Sequence, residues 1–293
     1  MMRSWDPIRL GRIIVALSLA LALSACSAIK LGYSNLPNLA YWWLDGYADF
    51  SDEQAPLVRD ELARLQAWHR QQELPLVVEL LARMEQAAPG EVSAQQACSY
   101  LGEVQQRLKA VQERGEGPVM AIAASLTGRE LRHIQRKFRR NNENFQKEWV
   151  HVPREEQVGK RYEKTLERVE TIYGRLDAPQ RAVLRQRLEQ SAYDPARSHA
   201  EYQRRQQELL AFLRRAGPRG TPADESHALV RGWFARIEHA PDPAYRAYQD
   251  TLRQEGCATF AAVHQVTTAA QREQAVRRLR AYQRDLRELM AQP

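Results

Sequence analysis

VGKRYEKTLERVETIY, residues 158–173, decides the fold class. Val158, Tyr162, Leu166, Val169 and Tyr173 recur at spacings of four and three, and Lys, Arg and Glu fill most of the positions between them. At 3.6 residues per turn this places five apolar side chains on one face of a helix and the charges on the other, the pattern of an amphipathic helix packed on a core. The same stripe appears on either side along the chain. Val58, Leu62, Leu65 and Trp68 carry it early, and Val276, Leu279, Tyr282, Leu286 and Leu289 carry it near the end. β-branched runs, the usual mark of strands, are rare. Pro89-Gly90, the 115–118 stretch, Pro153, Gly174, Pro195, Gly217-Pro218 and Pro241 fall between stripes, where Gly closes helices and Pro cannot continue them. The expectation is an all-α protein, an elongated antiparallel multi-helix bundle of roughly ten helices. No fixed repeat period argues for a solenoid.

The first 26 residues read differently. Arg3, Arg9 and Arg12 precede the apolar run IIVALSLALAL at 13–23, and Ser24-Ala25 precede Cys26. A basic segment, a short apolar core and small residues before a cut site make a secretory signal peptide. The run is too short to span a bilayer, which takes about 20 apolar residues. LSAC at 23–26 resembles the bacterial lipobox, in which the cysteine is acylated and becomes the first residue of the mature chain. Ser27 in place of Asp implies, by resemblance to Gram-negative lipoproteins, sorting to the outer membrane facing the periplasm. The expected organisation is a signal peptide over 1–25, a lipidated N-terminus with an aromatic segment over 26–50, and an all-helical periplasmic domain over 51–293. Removing residues 1–25 brings the formal net charge from +7 to near +5. Only six of the 43 basic residues are Lys.

Two further cysteines, Cys98 and Cys257, remain. In an oxidising compartment an even pair reads as a disulfide; the alternative is two buried thiols.

FSDEQ (50–54), VSAQQ (92–96), LTGRE (126–130), LDAPQ (176–180) and TTAAQ (267–271) share one form: Ser, Thr or Asp followed three residues later by Gln or Glu. This is the capping box of a helix start. The pattern is also similar to the Leu-Thr-x-x-Gln motifs of small periplasmic helical chaperones and stress-response inhibitors, although none of the five matches in full.

Tyr33, Tyr41, Trp42, Trp43, Tyr47 and Phe50 crowd eighteen residues close behind Cys26. They suit a packed core, an interfacial belt at a membrane, or a partner groove. Arg132, Arg136, Arg139 and Arg140 recur at helical spacing and mark either a solvated face or a site for an anionic envelope component. Asn141, Asn142 and Asn144 follow as poor helix formers and suggest a bend.

Catalytic motifs are missing: there is no P-loop, no G-x-G-x-x-G, no H-E-x-x-H and no G-x-S-x-G. Glu130-x-x-His133 and Glu148-x-x-His151 have the spacing used by di-iron bundles. Both lie on one helical stretch, however, with the histidines about 27 Å apart, too far to share a metal pair.

The segment KLGYSNLPNLAYWWLDGYADFSDEQ (30–54), with YGRLDAPQRAVL (173–184) and CATFAAVHQVTTAAQREQAVRRLRAYQRDL (257–286), resembles an uncharacterised family of proteobacterial lipoproteins carrying a domain of unknown function. The resemblance implies an envelope lipoprotein and supplies no activity. The expected protein is non-catalytic, without cofactor or metal. It is tied to the membrane by its lipid and engages an envelope protein or anionic component, with Tyr41, Trp42, Trp43, Tyr47 and the four arginines as candidate contacts. Nucleic acid is not an expected partner. The alternative is a holdase-type chaperone or stress-response modulator.

Overall fold

The computed structural model describes residues 29–216 and 223–292. A short helical stretch at 29–34 leads into twelve α-helices, with no strand among the described residues. They are α1 (Leu36–Ala48), α2 (Gln54–Trp68), α3 (Leu74–Ala87), α4 (Ala94–Arg114), α5 (Glu116–Ser125) and α6 (Gly128–Phe145), then α7 (Arg154–Tyr173), α8 (Ala178–Glu189), α9 (Pro195–Ala216), α10 (Ala223–Glu238), α11 (Pro243–Gln265) and α12 (Ala269–Met290). The all-α bundle read from the sequence is the fold. The expected signal peptide, 1–25, and the expected lipidation site, Cys26, lie outside the described residues.

Consecutive helix pairs alternate between two ends of the bundle. The pairs α1–α2, α5–α6 and α9–α10 pack on one another at the first end, and α3–α4, α7–α8 and α11–α12 at the second. Each end has its own apolar centre. At the first, Ala48, Ala123, Leu126, Ile134, Phe212 and Val230 meet. At the second, Val158, Leu176, Leu184, Leu188 and Val263 meet. Three of the crossings between the ends are nearly unbroken helix. One runs from α2 to α3, one from α4 to α5 across Gly115, and one from α6 toward α7.

Two π-turns interrupt these long rods. His69–Glu73 joins α2 to α3 just ahead of Pro75. Proline inside a helix lacks the N–H for the i−4 bond and its ring crowds that carbonyl, and one widened turn absorbs both effects while the rod continues. Gln146–Val150 ends the α6 rod before Pro153. The bend suggested at the asparagines is not there. α6 runs through them because they are used in packing: Asn141 donates to the Tyr47 hydroxyl at 2.9 Å and Asn142 to Gln206 Oε1 at 2.7 Å.

A disulfide joins Cys98 on α4 to Cys257 on α11, with the Cα atoms 5.3 Å apart. It ties two helices of the second end that are 159 residues apart in the chain.

Candidate functional site

The stretch ahead of α1, from Lys30, docks at the junction of the two ends. Lys30 pairs with Glu288 near the end of α12 at 2.6 Å, and the Tyr33 hydroxyl meets His69 Nδ1 in the first π-turn at 3.0 Å. From there α1 runs along the first end and divides its aromatic side chains. Tyr41 is buried beneath the Arg59 guanidinium, 3.6 Å from the ring centroid. Phe50 stacks near Tyr41 and packs on the first core. Tyr47 is half-buried against Phe138 of α6. Trp42 and Trp43, by contrast, stand 62% and 63% exposed. With Leu36 and Leu39 they form one outward stripe at helical spacing, and Leu31 is exposed just before it. The sequence left three roles open for this segment, and the structure distributes it between core and surface.

α6 packs beside α1. Arg132, Arg136, Arg139 and Arg140 are all exposed on it, and none forms an ion pair among the described residues. The Lys137 ammonium lies 5.7 Å from the Tyr47 ring centroid, and Trp43 contacts Tyr47 at 4.9 Å between centroids. A basic helix therefore borders the apolar stripe. Glu130 at its start closes the cap of its own helix. It accepts from the Thr127 amide and hydroxyl and from Arg129. Burial alone would raise its pKa, but those hydrogen bonds outweigh it and hold the carboxyl at about 2.

Four of the five recurrent Ser/Thr/Asp-x-x-Gln/Glu motifs close as capping boxes, and these four work in pairs across the fold. At the second end Asp177–Gln180 and Thr268–Gln271 each close their own box. The two glutamine side chains then bond one another at 2.7 Å. Gln180 also donates to the Val266 carbonyl and Gln271 to the Arg175 carbonyl; each carbonyl lies two residues before the partner's cap. The first end repeats the arrangement. Gln54, in its box with Ser51, donates to the Ser125 carbonyl, two residues before Thr127. The reciprocal bond would have to come from Glu130, which has no proton to give, and Arg129 supplies it to the Asp49 carbonyl. Ser93 caps α4, while Gln96 turns instead to Tyr100. The motif likeness to periplasmic chaperones thus has a structural use here.

The sequence stripes did not single out α4. This 21-residue helix has no buried residue, and Leu101, Val104 and Leu108 stand exposed at i, i+3 and i+7. The spacing is visible in the sequence; that nothing covers it is not.

Fold and surface define an all-α bundle protein with an exposed aromatic–aliphatic stripe at its N-terminal side. The chain belongs to a family of unknown function (DUF6279), whose model matches residues 46–226. No curated protein and no solved structure matches it. No helix among the described residues is long and apolar enough to cross a membrane.

Proposed function

We propose that the protein is an outer-membrane lipoprotein, acylated on Cys26 and facing the periplasm, that works by binding and not by catalysis. The observation that carries this reading is the stripe of Leu36, Leu39, Trp42 and Trp43, which begins ten residues behind the lipobox cysteine. Trp favours the headgroup level of a bilayer, and an exposed apolar face of this kind marks a contact surface. The anchor holds that face close to the membrane, and the bordering arginines suit anionic headgroups or an acidic envelope protein. Metabolic labelling with an alkyne palmitate should tag the wild type and not Cys26→Ala, which should leave the membrane fraction. Retention and labelling of the variant would overturn the anchoring. Trp42→Ala/Trp43→Ala should keep the acyl group but change crosslinking to its neighbours in intact cells.

The exposed Leu101/Val104/Leu108 stripe on α4 favours a second reading, a holdase that offers apolar surface to unfolded clients. Suppression of client aggregation by the purified protein, lost in Leu108→Glu, would select it.

A further inference from the structure

We infer that the groove between α7 and α11 is a binding site for a single-chain anionic amphiphile, whose acyl chain lies on the groove floor and whose carboxylate or phosphate head meets the guanidinium groups on its rim. The site goes beyond the anchoring proposal and stands without it. The groove measures about 420 Å³, within the ≈ 300–1,000 Å³ of small-molecule sites. Its floor lies over the second core, with Leu184, Leu188 and Val263 buried and Val169, Ile172 and Leu252 half-buried. Val169, Ile172, Leu184, Leu188, Leu252 and Val263 line it, and Phe260 borders it 39% exposed.

The rim is basic. Arg161, Arg168 and Arg187 line the same groove against one carboxylate, Glu255. Glu255 is already engaged, accepting from Ser191 Oγ at 2.7 Å and from the Ala192 amide at 2.9 Å. None of the three arginines forms an ion pair among the described residues. Arg161 is held in place, bonding Ser191 Oγ at 3.1 Å with its guanidinium 4.5 Å from the Tyr193 ring centroid. Arg187 donates one N–H to the Ala258 carbonyl, while its Nε is buried without a partner.

Two positioned guanidinium groups, with a third on the same rim, beside an apolar floor match a ligand with one anionic end and one apolar end, since Arg presents a planar donor fork to carboxylate or phosphate. A neutral chain would leave those charges uncompensated against apolar surface. An acidic amphipathic helix, 10–12 Å across with its side chains, asks for a longer trough.

The test uses the full chain as isolated from cells, in the presence of nanodiscs of zwitterionic lipid, which an anchored chain enters and an unanchored one does not need. Three photoreactive, clickable probes are compared: palmitate, a lysophosphatidate, and the methyl ester of the same palmitate. The adducts are mapped by mass spectrometry. The anionic probes should label peptides spanning 161–173 and 250–263, at least tenfold more than the ester, and excess unlabelled anionic analogue should displace them. Labelling by palmitate alone would identify a free fatty acid, by lysophosphatidate alone a phosphate-headed lipid, and either supports the site. Arg161→Gln with Arg187→Gln should lower labelling at least tenfold. Gly256→Leu covers the case in which those variants fold poorly. A Cβ at this groove-lining position meets no atom within 4 Å, and Leu is the better helix former. It should abolish labelling and keep the denaturation midpoint. Equal labelling by the ester, labelling unchanged in Gly256→Leu, or displacement by an acidic helical peptide alone would overturn the inference.

Discussion

His264 shows how a single side chain is fixed by its neighbours. It is 1% exposed on α11. Its Nε2 lies 2.8 Å from the Gly90 carbonyl and must donate to it, which leaves Nδ1 to accept from the Tyr173 hydroxyl, also at 2.8 Å. One neutral imidazole thus joins α7, α11 and the turn after α3. Burial lowers the His264 pKa and raises that of Tyr173 to about 12, so both groups favour folding in their neutral forms. Below pH 6.5 the unfolded histidine takes up a proton that the folded one resists, and stability falls with pH until the lower folded pKa is passed. Above pH 10 the unfolded tyrosine loses a proton that the folded one keeps, and stability falls again toward pH 12, by about 2–3 kcal/mol. Urea titrations across pH should show both limbs, and Tyr173→Phe should make the alkaline one shallower, the rest coming from Tyr33, Tyr193 and Tyr245, whose pKa burial also raises. His264→Ala should cost about 2–3 kcal/mol at pH 8, because it orphans the Tyr173 hydroxyl and opens a void. A cost under 0.5 kcal/mol would show that water replaces the ring.

At the scale of helices, the capping boxes carry tertiary information. A box satisfies its own helix start, but Gln180 and Gln271 spend their remaining amide hydrogens on each other's turn. Gln180→Ala and Gln271→Ala should each cost about 1–2 kcal/mol, and the double variant less than their sum by about 1 kcal/mol, because residues in one network couple. Equilibrium denaturation of the four-member cycle measures this, and strict additivity would mean the boxes act alone. The boxes themselves were legible, since spacing and residue type state a local geometry. Their pairing was not, because it joins positions 91 residues apart. The substitution of Arg129 for a missing glutamine donor was hidden for the same reason. The aromatic segment had a similar limit. Its density announced a special helix, but only the docking of α1 on α2 and α6 separates Tyr41, inside, from Trp42, outside.

The whole molecule is two helical ends threaded by one chain that changes end after every second helix. An apolar stripe says that a face is covered without saying by what, so helix existence was readable and this alternation was not. The pairing of Cys98 with Cys257 gave one such contact in advance, because compartment and parity alone suggested it. Closing a 159-residue separation contributes up to about 5 kcal/mol in the chain-entropy model. Reduction, or Cys98→Ser, should therefore lower the denaturation midpoint, and hydrogen exchange should quicken first in α4, which has no buried residue of its own. The threading also bears on the span matched by the family model, 46–226. That span stops within α10; a chain cut after residue 238 keeps α1 to α10 and loses only α11 and α12, and with them the packing partners of α3, α4, α7 and α8. Leu184 and Leu188 lose Val263, and Cys98 loses its bridge. If the two ends depend on each other as the crossings imply, the shortened chain will bind a hydrophobic dye and unfold without a cooperative transition, while the full chain gives a single steep one. A cooperative transition in the shortened chain would mean instead that the first end, with its own centre at Ala123, Leu126, Phe212 and its neighbours, folds independently and that the second end is an addition to it.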